Sequence, residues 1–419
     1  MAKYITIVGG GVIGLSTALA LILKGAHVTL LDAEDGVGQG ASFANGGQLS
    51  YRYVSPLADR GVIWQGIKWM GRISSPLNMR LQPSLTQWRW LLQFMRACNK
   101  RQHQITEAHL LRLSLYSQSI LTHWRREILT QDFHWQRSGK LILHRSASDF
   151  TQAREKIDPE FQQVLNADEV CELEPALTAT RSNIQGGIYA PFDETADSYA
   201  YCLSLLDYLQ RSSQFTLVTD CKVNHIVERE GRVVALQTSQ GEMLVKHLVI
   251  CAGNESRALV KPLKIDLPIY PLKGYSLTLE NAESQFEAQT IPTLSVTDYA
   301  HKTVYAQLGD RLRIAAMVDI GYDKSGIRTR RIDALKTQVQ ATFPEIKGLD
   351  QARAWSGLRP ATPKGSPILG RTQYRNLWLN VGHGSLGFTL AAGSANIVAD
   401  LITDFRSSIN LEGFSYFEK

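Results

Sequence analysis

The first thirty-two residues carry the hydrophobic pattern of a strand–helix–strand unit. An apolar run at Tyr4–Val8 predicts a strand, the apolar stretch after residue 12 predicts a helix, and a second apolar run predicts a strand that ends at Asp32. The core positions of this unit are filled by Ala18, Leu21, Gly25, Val28 and Leu30. The pattern therefore indicates an α/β fold that begins close to the N-terminus.

Three glycines separate the first strand from the helix in the spacing G-x-G-x-x-G. Gly9 permits the tight turn, Gly11 lets a pyrophosphate approach the backbone, and Gly14 lets the helix pack closely on the strand. The helix N-terminus adds free N–H groups and the positive end of the helix dipole. Asp32 stands 18 residues after Gly14, where its carboxylate can accept from ribose hydroxyls. The unit predicts a dinucleotide site that suits either NAD or FAD.

Two distant segments also combine an apolar strand with a glycine-containing turn. Residues 246–254 form an apolar run that ends in Ala252-Gly253, and residues 376–394 run through Gly382-His383-Gly384 into a helical pattern. Strand ends of this kind can meet a dinucleotide at the carboxyl edge of a sheet. A second helix N-terminus at this edge would stabilise negative charge on a reduced ring system, which favours FAD.

Composition narrows the class of protein further. With 419 residues, 44% of them apolar and 20% charged, the chain is expected to form two or three globular domains. Its five cysteines show no C-x-x-C pair and no zinc-like spacing, which predicts reduced thiols in a cytosolic protein. The apolar stretch of residues 13–23 is shorter than the ~20 residues that cross a bilayer. We therefore expect a soluble or peripheral protein without a signal peptide.

Five segments, taken together, carry a family resemblance. They are the N-terminal unit and residues 41–48 (ASFANGGQ), 271–276 (PLKGYS), 357–363 (GLRPATP) and 381–390 (VGHGSLGFTL). In combination they resemble the D-amino-acid oxidase-like FAD oxidoreductases, and most closely the bacterial D-amino acid dehydrogenases. Lys364 departs from the many relatives that have Asp after Thr-Pro, and no cysteine stands near Arg359, unlike in relatives that bind flavin covalently. The resemblance therefore implies non-covalent FAD.

Cofactor contacts are predicted for residues of the N-terminal unit and of the matching segments. These residues are Gly9, Gly11, Val12, Ile13, Gly14, Asp32, Ala33, Ser42, Asn45, Gly46, Gln48, Val223, Ala252, Gly253, Gly382, His383, Gly384, Leu386, Gly387 and Thr389. The alternation around Glu230-Gly231 predicts strands joined by a turn, and the resemblance implies that the Val223 backbone lies near the adenine ring.

The expected fold is α/β, with a discontinuous Rossmann-type FAD-binding domain and an α+β substrate domain built on a mixed sheet. Residues 56–139 look mostly helical, and residues 263–347 alternate as strands. Since the glycine motifs lie at both ends of the chain, the FAD-binding domain is placed at 1–55, 140–262 and 348–419, and the substrate domain at 56–139 and 263–347.

Oxidation of an amino acid at a flavin needs a clamp for the carboxylate more than it needs acid–base groups. A buried arginine matches a carboxylate with two parallel hydrogen bonds, and the resemblance implies this role for Arg359. Tyr275, Tyr305 and Tyr53 are candidate walls of the catalytic site, with burial in the core as the alternative for each. His383 is expected to contact the flavin through its backbone, with a catalytic base as the alternative.

The acidic loop of residues 193–197 resembles a metal site in its composition. Its carboxylates have no partner histidine and no known ligand spacing, so no metal is predicted.

The main functional hypothesis is FAD-dependent oxidation of a D-alanine-like D-amino acid to a 2-oxo acid and ammonia. D-selectivity enters through the resemblance alone, so glycine, D-proline and D-hydroxyproline remain alternative substrates. Oxygen and a membrane quinone remain alternative electron acceptors. A nicotinamide dehydrogenase would leave the 382–384 turn and Arg359 unexplained. Two further alternatives are a flavoprotein that binds RNA, for which no motif is present, and a non-catalytic subunit of a larger complex.

The net charge of +6 is distributed unevenly. Residues 60–106 hold eight basic residues and no acidic one, so this segment carries +8 and the remainder of the chain carries −2. The segment also contains Trp64, Trp69, Trp88 and Trp90. Amphipathic helices with basic flanks and tryptophan lie on anionic bilayers. Residues 60–101 are therefore a candidate surface for the inner face of the cell membrane, the alternative being that they pack the substrate domain.

Overall fold

The computed structural model describes residues 2–62, 72–280, 290–322 and 326–418. The strands in these ranges are β1 (Tyr4–Val8), β2 (His27–Leu31), β3 (Gln48–Leu49), β4 (Leu77–Met79), β5 (Lys140–His144), β6 (Gln163–Leu165), β7 (Gly186–Ala190), β8 (Glu194–Thr195), β9 (Phe215–Val218), β10 (Val223–Arg229), β11 (Arg232–Thr238), β12 (Gly241–Leu244), β13 (His247–Ile250), β14 (Tyr270–Leu279), β15 (Ser295–Asp298), β16 (Thr303–Leu308), β17 (Arg311–Ile320), β18 (Arg353–Ala361), β19 (Ile368–Arg371) and β20 (Leu377–Val381).

The α-helices in the same ranges complete the framework. They are α1 (Val12–Ile22), α2 (Leu85–Ala97), α3 (Lys100–Glu127), α4 (Ala147–Arg154), α5 (Ala167–Leu173), α6 (Ser198–Gln210), α7 (Ser256–Val260), α8 (Thr329–Thr342) and α9 (Gly387–Ile402). Short 3₁₀ turns are formed by Pro175–Asn183, Gly253–Glu255, Lys261–Leu263, Gly384–Leu386 and Tyr416–Glu418.

A six-stranded sheet in the order β19-β20-β13-β1-β2-β9 contains the N-terminal strand–helix–strand unit. β1 pairs in parallel with β2 on one side and with β13 on the other, and β13 pairs in parallel with β20. The strand order therefore reverses at β1, and a crevice for ligands forms at such a point, outside the carboxyl ends of the strands. The predicted α/β fold class is confirmed.

Two apolar helices and one amphipathic helix pack beside this sheet. α1 and α9 lie against each other, and nearly all of their residues are buried. Residues 384–402 are apolar and long enough to cross a membrane, but 72% of this window is buried inside the protein, as in a core helix. α3 packs on α9, where the Ser117 hydroxyl accepts a hydrogen bond from the Gly393 N–H at 3.1 Å. The hydrophobic core that packs on the six-stranded sheet therefore includes side chains of α3.

A nine-stranded mixed sheet runs in the order β18-β14-β17-β16-β15-β5-β7-β6, with β4 paired to β17. One face, which we name the near face, contacts residues 44–50: Ser276 donates to the Ala44 carbonyl and Arg313 donates to the Asn45 carbonyl. The opposite face, which we name the far face, packs on α8 through apolar side chains that include Leu277 and Ile314. Because side chains alternate between faces along a strand, each residue of this sheet is assigned to one face.

Strand pairing and helix packing differ at two places from the domain bounds expected from the sequence. Residues 140–190 were placed in the FAD-binding domain, but β5, β6 and β7 pair within the nine-stranded sheet, as does β18. Conversely, α3 was placed in the substrate domain and packs on the six-stranded sheet's helices. The glycine motifs carry no information about these pairings, which are set by long-range contacts. We propose that the substrate domain contains residues 140–190 and 353–361, and that α3 belongs to the FAD-binding domain.

Candidate active site

The glycine turn after β1 has the close contacts that the motif predicts. Gly9 has φ +109°, and a Cβ at this position would lie 2.6 Å from the Cys251 carbonyl oxygen. A Cβ on Gly14 would lie 1.8 Å from the Gly9 carbonyl oxygen, so the helix could not approach the strand with any side chain there. Gly11 is the N-cap of α1, provides no side-chain cap, and is followed by no acidic residue in the first turn. The first turn of α1 therefore places no acidic side chain of its own at the positive end of the helix, which faces the crevice.

Asp32 lies at the end of β2, beside this turn. One carboxylate oxygen accepts from the Gly10 N–H at 2.5 Å and the other accepts from the Glu34 N–H at 2.9 Å. The Cys221 N–H donates to the Asp32 carbonyl, which brings the chain just before Val223 to the same corner. The geometry is suitable for a carboxylate that meets a ribose, with Val223 close by as expected for the adenine side.

Two further turns join the six-stranded sheet to β18. After β13, the Asn254 amide donates to the Leu358 carbonyl at 2.9 Å. After β20, His383 forms a β-bridge with Ala361, and Gly382 and Gly384 on either side have φ +82° and +56°. Ala252-Gly253 and Gly382-His383-Gly384 therefore lie next to the part of β18 that carries Arg359.

Residues 41–50 connect the crevice to the near face. The Ser42 hydroxyl accepts from the Val12 N–H at 3.1 Å, inside the first turn of α1. A Cβ on Gly46 would touch Ala315 and Val304, and the Gln48 amide donates to the Ser295 hydroxyl at 2.5 Å. This segment crosses the near face of the nine-stranded sheet and covers it from the side of the dinucleotide crevice.

Arg359 is on the near face, directly opposite Leu272 of β14. Its Nη1 donates to the Met317 carbonyl at 3.0 Å, and its guanidinium passes over Gly274, where a Cβ would lie 2.5 Å from Nη2. No carboxylate within ion-pair distance of Arg359 belongs to the described residues, and burial alone lowers its pKa to about 10. A guanidinium without a protein counter-ion, beside a dinucleotide crevice, is suited to bind an anionic ligand.

Tyr53 lies on the near face as well, at the side of β5. Its ring centroid is 4.4 Å from the Nζ of Lys140, which in turn donates to the Ser50 hydroxyl at 2.8 Å. Burial raises the pKa of the Tyr53 phenol and lowers the pKa of Lys140 to about 8. The guanidinium of Arg359 reaches β17, and Tyr53 lies beside β5, three strands further along the sheet. At the usual spacing of strands, about 14 Å therefore separates the Arg359 guanidinium from Tyr53 across the sheet. The structure thus brings Arg359 and Tyr53 to opposite ends of the same face.

Tyr275 and Tyr305, which the sequence predicts as walls of the catalytic site, lie on the far face of the sheet, opposite to Arg359. Tyr275 is 1% exposed and donates to Asp319 at 2.7 Å. Tyr305 is fully buried and packs edge-on against Phe343, with ring centroids 4.8 Å apart. Strand alternation decides this placement, since Gly274 and Ser276 of the same strand face residues 41–50. The alternative noted for these tyrosines, burial as core residues, describes both.

His383 offers its backbone to the crevice and its ring to the core. The imidazole is 3% exposed, and its Nε2 lies 3.1 Å from the Ser394 hydroxyl in α9. Burial lowers its pKa to about 3, so the ring is neutral at physiological pH. These contacts favour the backbone role that the sequence predicts over proton transfer.

The carboxylates of residues 193–197 make contacts within the protein. Asp193 accepts from the Tyr51 N–H, Glu194 accepts from the Tyr51 hydroxyl and the Trp135 indole, and Asp197 caps α6 and pairs with Arg311 at 3.0 Å. The loop therefore anchors the segment that follows residues 41–50.

The residues along the crevice match the chemical groups of FAD in order. The glycine-lined N-terminus of α1 suits a pyrophosphate and Asp32 suits a ribose. A Cβ on Gly253 would meet no atom within 4 Å, and a Cβ on Gly384 would lie 4.0 Å from the Ala361 Cα. These features follow one edge of the six-stranded sheet from Asp32 to Arg359, as an extended dinucleotide requires. The residues present fit FAD.

Sequence reasoning missed Lys140, Gly274 and Met317. Lys140 had a signal, because a charged residue in the apolar strand Lys140–His144 stands at an alternation position that faces inward. Gly274 lay inside a matching segment, but the need for glycine there comes from Arg359 on another strand. Met317 had no signal, since its φ of +66° follows from a register shift between β14 and β17.

Comparisons with known proteins agree with this geometry. Residues 5–401 match the family described as FAD dependent oxidoreductase (DAO). The D-amino acid dehydrogenase 2 of Pseudomonas aeruginosa is 46% identical over 415 residues, which cover 99% of this chain and 98% of the relative. The D-amino acid dehydrogenase 2 of Ralstonia nicotianae is 41% identical over 409 residues, which cover 95% of this chain and 96% of the relative.

The solved structure of L-proline dehydrogenase from P. horikoshii shares the fold, with a TM-score of 0.74 at 16% identity, covering 99% of this chain and 97% of that chain. The family match spans both sheets and every glycine turn described above, and the residues at those turns fit the cofactor that its name specifies. The chain belongs to the FAD-dependent oxidoreductase family.

Proposed function

We propose that this protein is a D-amino acid dehydrogenase, which oxidises a small D-amino acid to an imino acid that water converts to a 2-oxo acid and ammonia. The names of the relatives that match over nearly the whole chain support this reaction. The alternatives of a nicotinamide dehydrogenase, an RNA-binding flavoprotein and a non-catalytic subunit have no corresponding support in the family match.

The observation that carries the proposal is that the buried guanidinium of Arg359 has no carboxylate partner among the described residues. It is a cation on the near face, beside the edge that carries Gly253 and Gly384, and no described carboxylate pairs with it. Leaving a desolvated guanidinium without an anion costs free energy. The cost is offset when a ligand supplies a carboxylate in the two-point geometry that arginine favours.

The remaining groups define what the site does to that ligand. Arg359 holds the carboxylate at one end, residues 41–48 cover the near face, and Tyr53 bounds the opposite end. When bound, FAD supplies the two-electron acceptor for oxidation of the carbon–nitrogen bond. The protein contributes orientation and exclusion of water, and these require no strong general base. Non-covalent attachment of FAD is part of the proposal.

Anaerobic spectroscopy tests the reaction and the stereochemistry together. The purified holoprotein is mixed with D-alanine or L-alanine without oxygen, and the flavin absorbance is followed. We expect bleaching by the D-enantiomer alone. Bleaching by neither enantiomer, or by glycine or D-proline alone, would contradict the proposed substrate class. Denaturation followed by filtration tests non-covalent FAD, because the yellow colour should pass through the filter.

We propose in addition that the electrons pass to a quinone in an anionic membrane, which the protein meets through α2. The inner face of α2 packs beside β14 through Trp90, Leu91 and Phe94. Its outer face exposes an apolar stripe at helical spacing, in which Leu85 is 77%, Trp88 44%, Leu92 49% and Met95 43% exposed. The basic side chains Arg89 and Arg96 lie exposed on the same helix.

This arrangement suits an anionic bilayer, because apolar side chains enter the interface while each basic residue adds about 1 kcal/mol of attraction. Trp64, Lys68 and Trp69, which belong to the basic segment noted in the sequence, lie outside the described residues.

Co-sedimentation with vesicles tests this surface. Wild type should sediment with vesicles that contain anionic lipid, and less so at high salt. The double variant Arg89→Glu, Arg96→Glu should remain in the supernatant with unchanged turnover of a soluble dye acceptor. Equal binding of both proteins would contradict the surface, and a quinone analogue that fails to reoxidise the flavin would contradict the acceptor.

A further inference from the structure

The carbonyl that holds Arg359 belongs to a strained residue. Met317 has φ +66°, in the left-handed region that residues with a side chain seldom adopt. The strain coincides with a β-bulge, because Lys273 pairs with Asp319 whereas Tyr275 pairs with Ala316. The extra residue turns the Met317 carbonyl toward Arg359, whose Nη1 donates to it at 3.0 Å.

Strain of this kind persists only when the surrounding structure fixes the backbone. β17 is fixed before the bulge by Arg313, which donates to the Asn45 carbonyl at 2.9 Å. It is fixed after the bulge by Asp319, only two residues beyond Met317. Asp319 is fully buried and accepts from the Tyr275 hydroxyl at 2.7 Å and from Arg328 at 2.8 Å.

Arg331 completes this far-face group. Its guanidinium is fully buried, pairs with Asp319 at 2.8 Å, and donates to the Ile73 and Ser75 carbonyls. The Asp319 group (Asp319, Tyr275, Arg328 and Arg331) thus gives one buried carboxylate three polar partners, whereas the packing of a strand requires only apolar contacts. It lies behind the segment of β17 whose carbonyl contacts Arg359 on the near face.

We infer that the Asp319 group consists of positioning residues that hold the strained Met317 carbonyl and thereby aim the Arg359 guanidinium at the substrate carboxylate. The inference rests on the proposed function, since it gives Arg359 a carboxylate to bind. Tyr275 then affects the substrate without touching it: its hydroxyl fixes Asp319, Asp319 fixes the bulge, and the bulge fixes Arg359.

Tyr275→Phe separates this role from simple packing, because it keeps the ring and removes the donor to Asp319. Tyr305→Phe is the matched control, as Tyr305 is an equally buried tyrosine of the far face outside the Asp319 group. Arg328→Met is a second variant; this side chain is 30% exposed and the fold should tolerate its loss. Arg328→Lys, which keeps a cation for Asp319, should restore part of the lost affinity.

The ligand is propionate, which has the carboxylate of D-alanine without its amine. Its Kd is measured from the change in flavin absorbance, beside KM and kcat for D-alanine and the Tm of each variant. We expect Tyr275→Phe and Arg328→Met to raise the Kd of propionate and the KM of D-alanine about three- to tenfold, with kcat changed less than twofold. Tyr305→Phe should match wild type.

Equal Kd values for Tyr275→Phe and wild type would overturn the inference, as would an equal rise in Tyr305→Phe. A fall in kcat without a rise in Kd would overturn it as well, because misplacement of Arg359 acts on carboxylate binding. If wild type oxidises no D-amino acid yet propionate binds and its Kd responds as expected, the proposed function fails while the positioning role stands.

Discussion

The near and far faces of the nine-stranded sheet use buried charge in opposite ways. On the far face, Asp319 is surrounded by Arg328, Arg331 and the Tyr275 hydroxyl, so the negative charge is neutralised within the protein. On the near face, Arg359 and Lys140 are cations without an ion-pair partner among the described residues. A buried charge that is neutralised within the protein needs no ligand, whereas a cation left unpaired in a crevice is available to one.

The difference predicts separable phenotypes. Substitutions on the near face should change binding and catalysis with little loss of stability, because the fold does not depend on a charge that has no partner. Substitutions in the far-face core outside the Asp319 group should change stability and leave the folded enzyme active. For Arg359→Met and Phe343→Ala both quantities are measured, so a variant that changes the quantity expected to stay constant would contradict the comparison.

Arg359→Met is expected to have the largest effect. Loss of two charged hydrogen bonds to the carboxylate should lower kcat/KM for D-amino acids about 10³-fold. The Tm should stay constant or rise, because a desolvated guanidinium is replaced by an apolar chain of similar length. Steady-state kinetics and thermal unfolding measure the two effects.

The control for Arg359→Met is Arg353→Met on the same strand. Arg353 is exposed and stacks near Phe43, with its guanidinium 5.4 Å from the ring centroid. It should change kcat/KM less than twofold. Comparable losses in both variants would show that β18 tolerates no such change, and that Arg359 has no special role in binding.

Phe343→Ala is the corresponding variant on the far face. Phe343 is fully buried against Tyr305, and truncation should lower the free energy of unfolding by about 3–5 kcal/mol. Below its Tm the variant should keep the KM of wild type. Denaturant unfolding gives the first quantity and kinetics at low temperature gives the second.

Phe405→Ala serves as its control. Phe405 is 61% exposed, so its truncation should cost less than about 1 kcal/mol. A raised KM in folded Phe343→Ala would mean that the far-face core also shapes the near face, beyond the positioning by the Asp319 group.

Gly274→Ala tests how tightly the near face is fitted around Arg359. A Cβ at this position would lie 2.6 Å from the guanidinium carbon, so Arg359 must move. A displacement of this size should raise the KM for D-alanine about tenfold or more while FAD content stays at wild-type level. Gly40→Ala, where a Cβ meets no atom within 4 Å, is the control. Unchanged KM in Gly274→Ala would mean that Arg359 reaches its ligand from another rotamer.

The sequence predicts a dinucleotide crevice from determinants that are mostly local. Gly14 and Asp32 contact other residues of the same strand–helix–strand unit, so their contacts follow from their spacing. A Cβ on Gly9 would instead meet Cys251, which follows the distant strand β13. Arg359 came from a motif whose meaning depends on the family resemblance. The faces of Tyr275 and Tyr305 required the register of β14 and β16 in a sheet assembled from distant segments. Met317 required a bulge between two strands, which no local pattern records.

The ionisation of Arg359 gives the smallest and most specific effect. Its pKa is lowered to about 10 by burial, so the guanidinium is charged below pH 10 and loses its charge above it. Carboxylate binding should therefore weaken as pH rises through 10, with a Kd for propionate about fourfold higher at pH 10.5 than at pH 8. Propionate is the suitable ligand because its carboxylate stays ionised over this range and it has no amine to titrate.

Arg359→Lys should shift the same rise in Kd to lower pH, because a lysine has a lower ordinary pKa and burial lowers it further. Tyr275→Phe should leave the position of the rise unchanged, since the Asp319 group on the far face sets the aim of the guanidinium and not its charge. A Kd that is constant to pH 10.5 would contradict the lowered pKa of Arg359. An equal rise in Arg359→Met would assign the ligand's counter-charge to another cation of the near face, and Lys140, whose pKa burial lowers to about 8, would then be the residue to change.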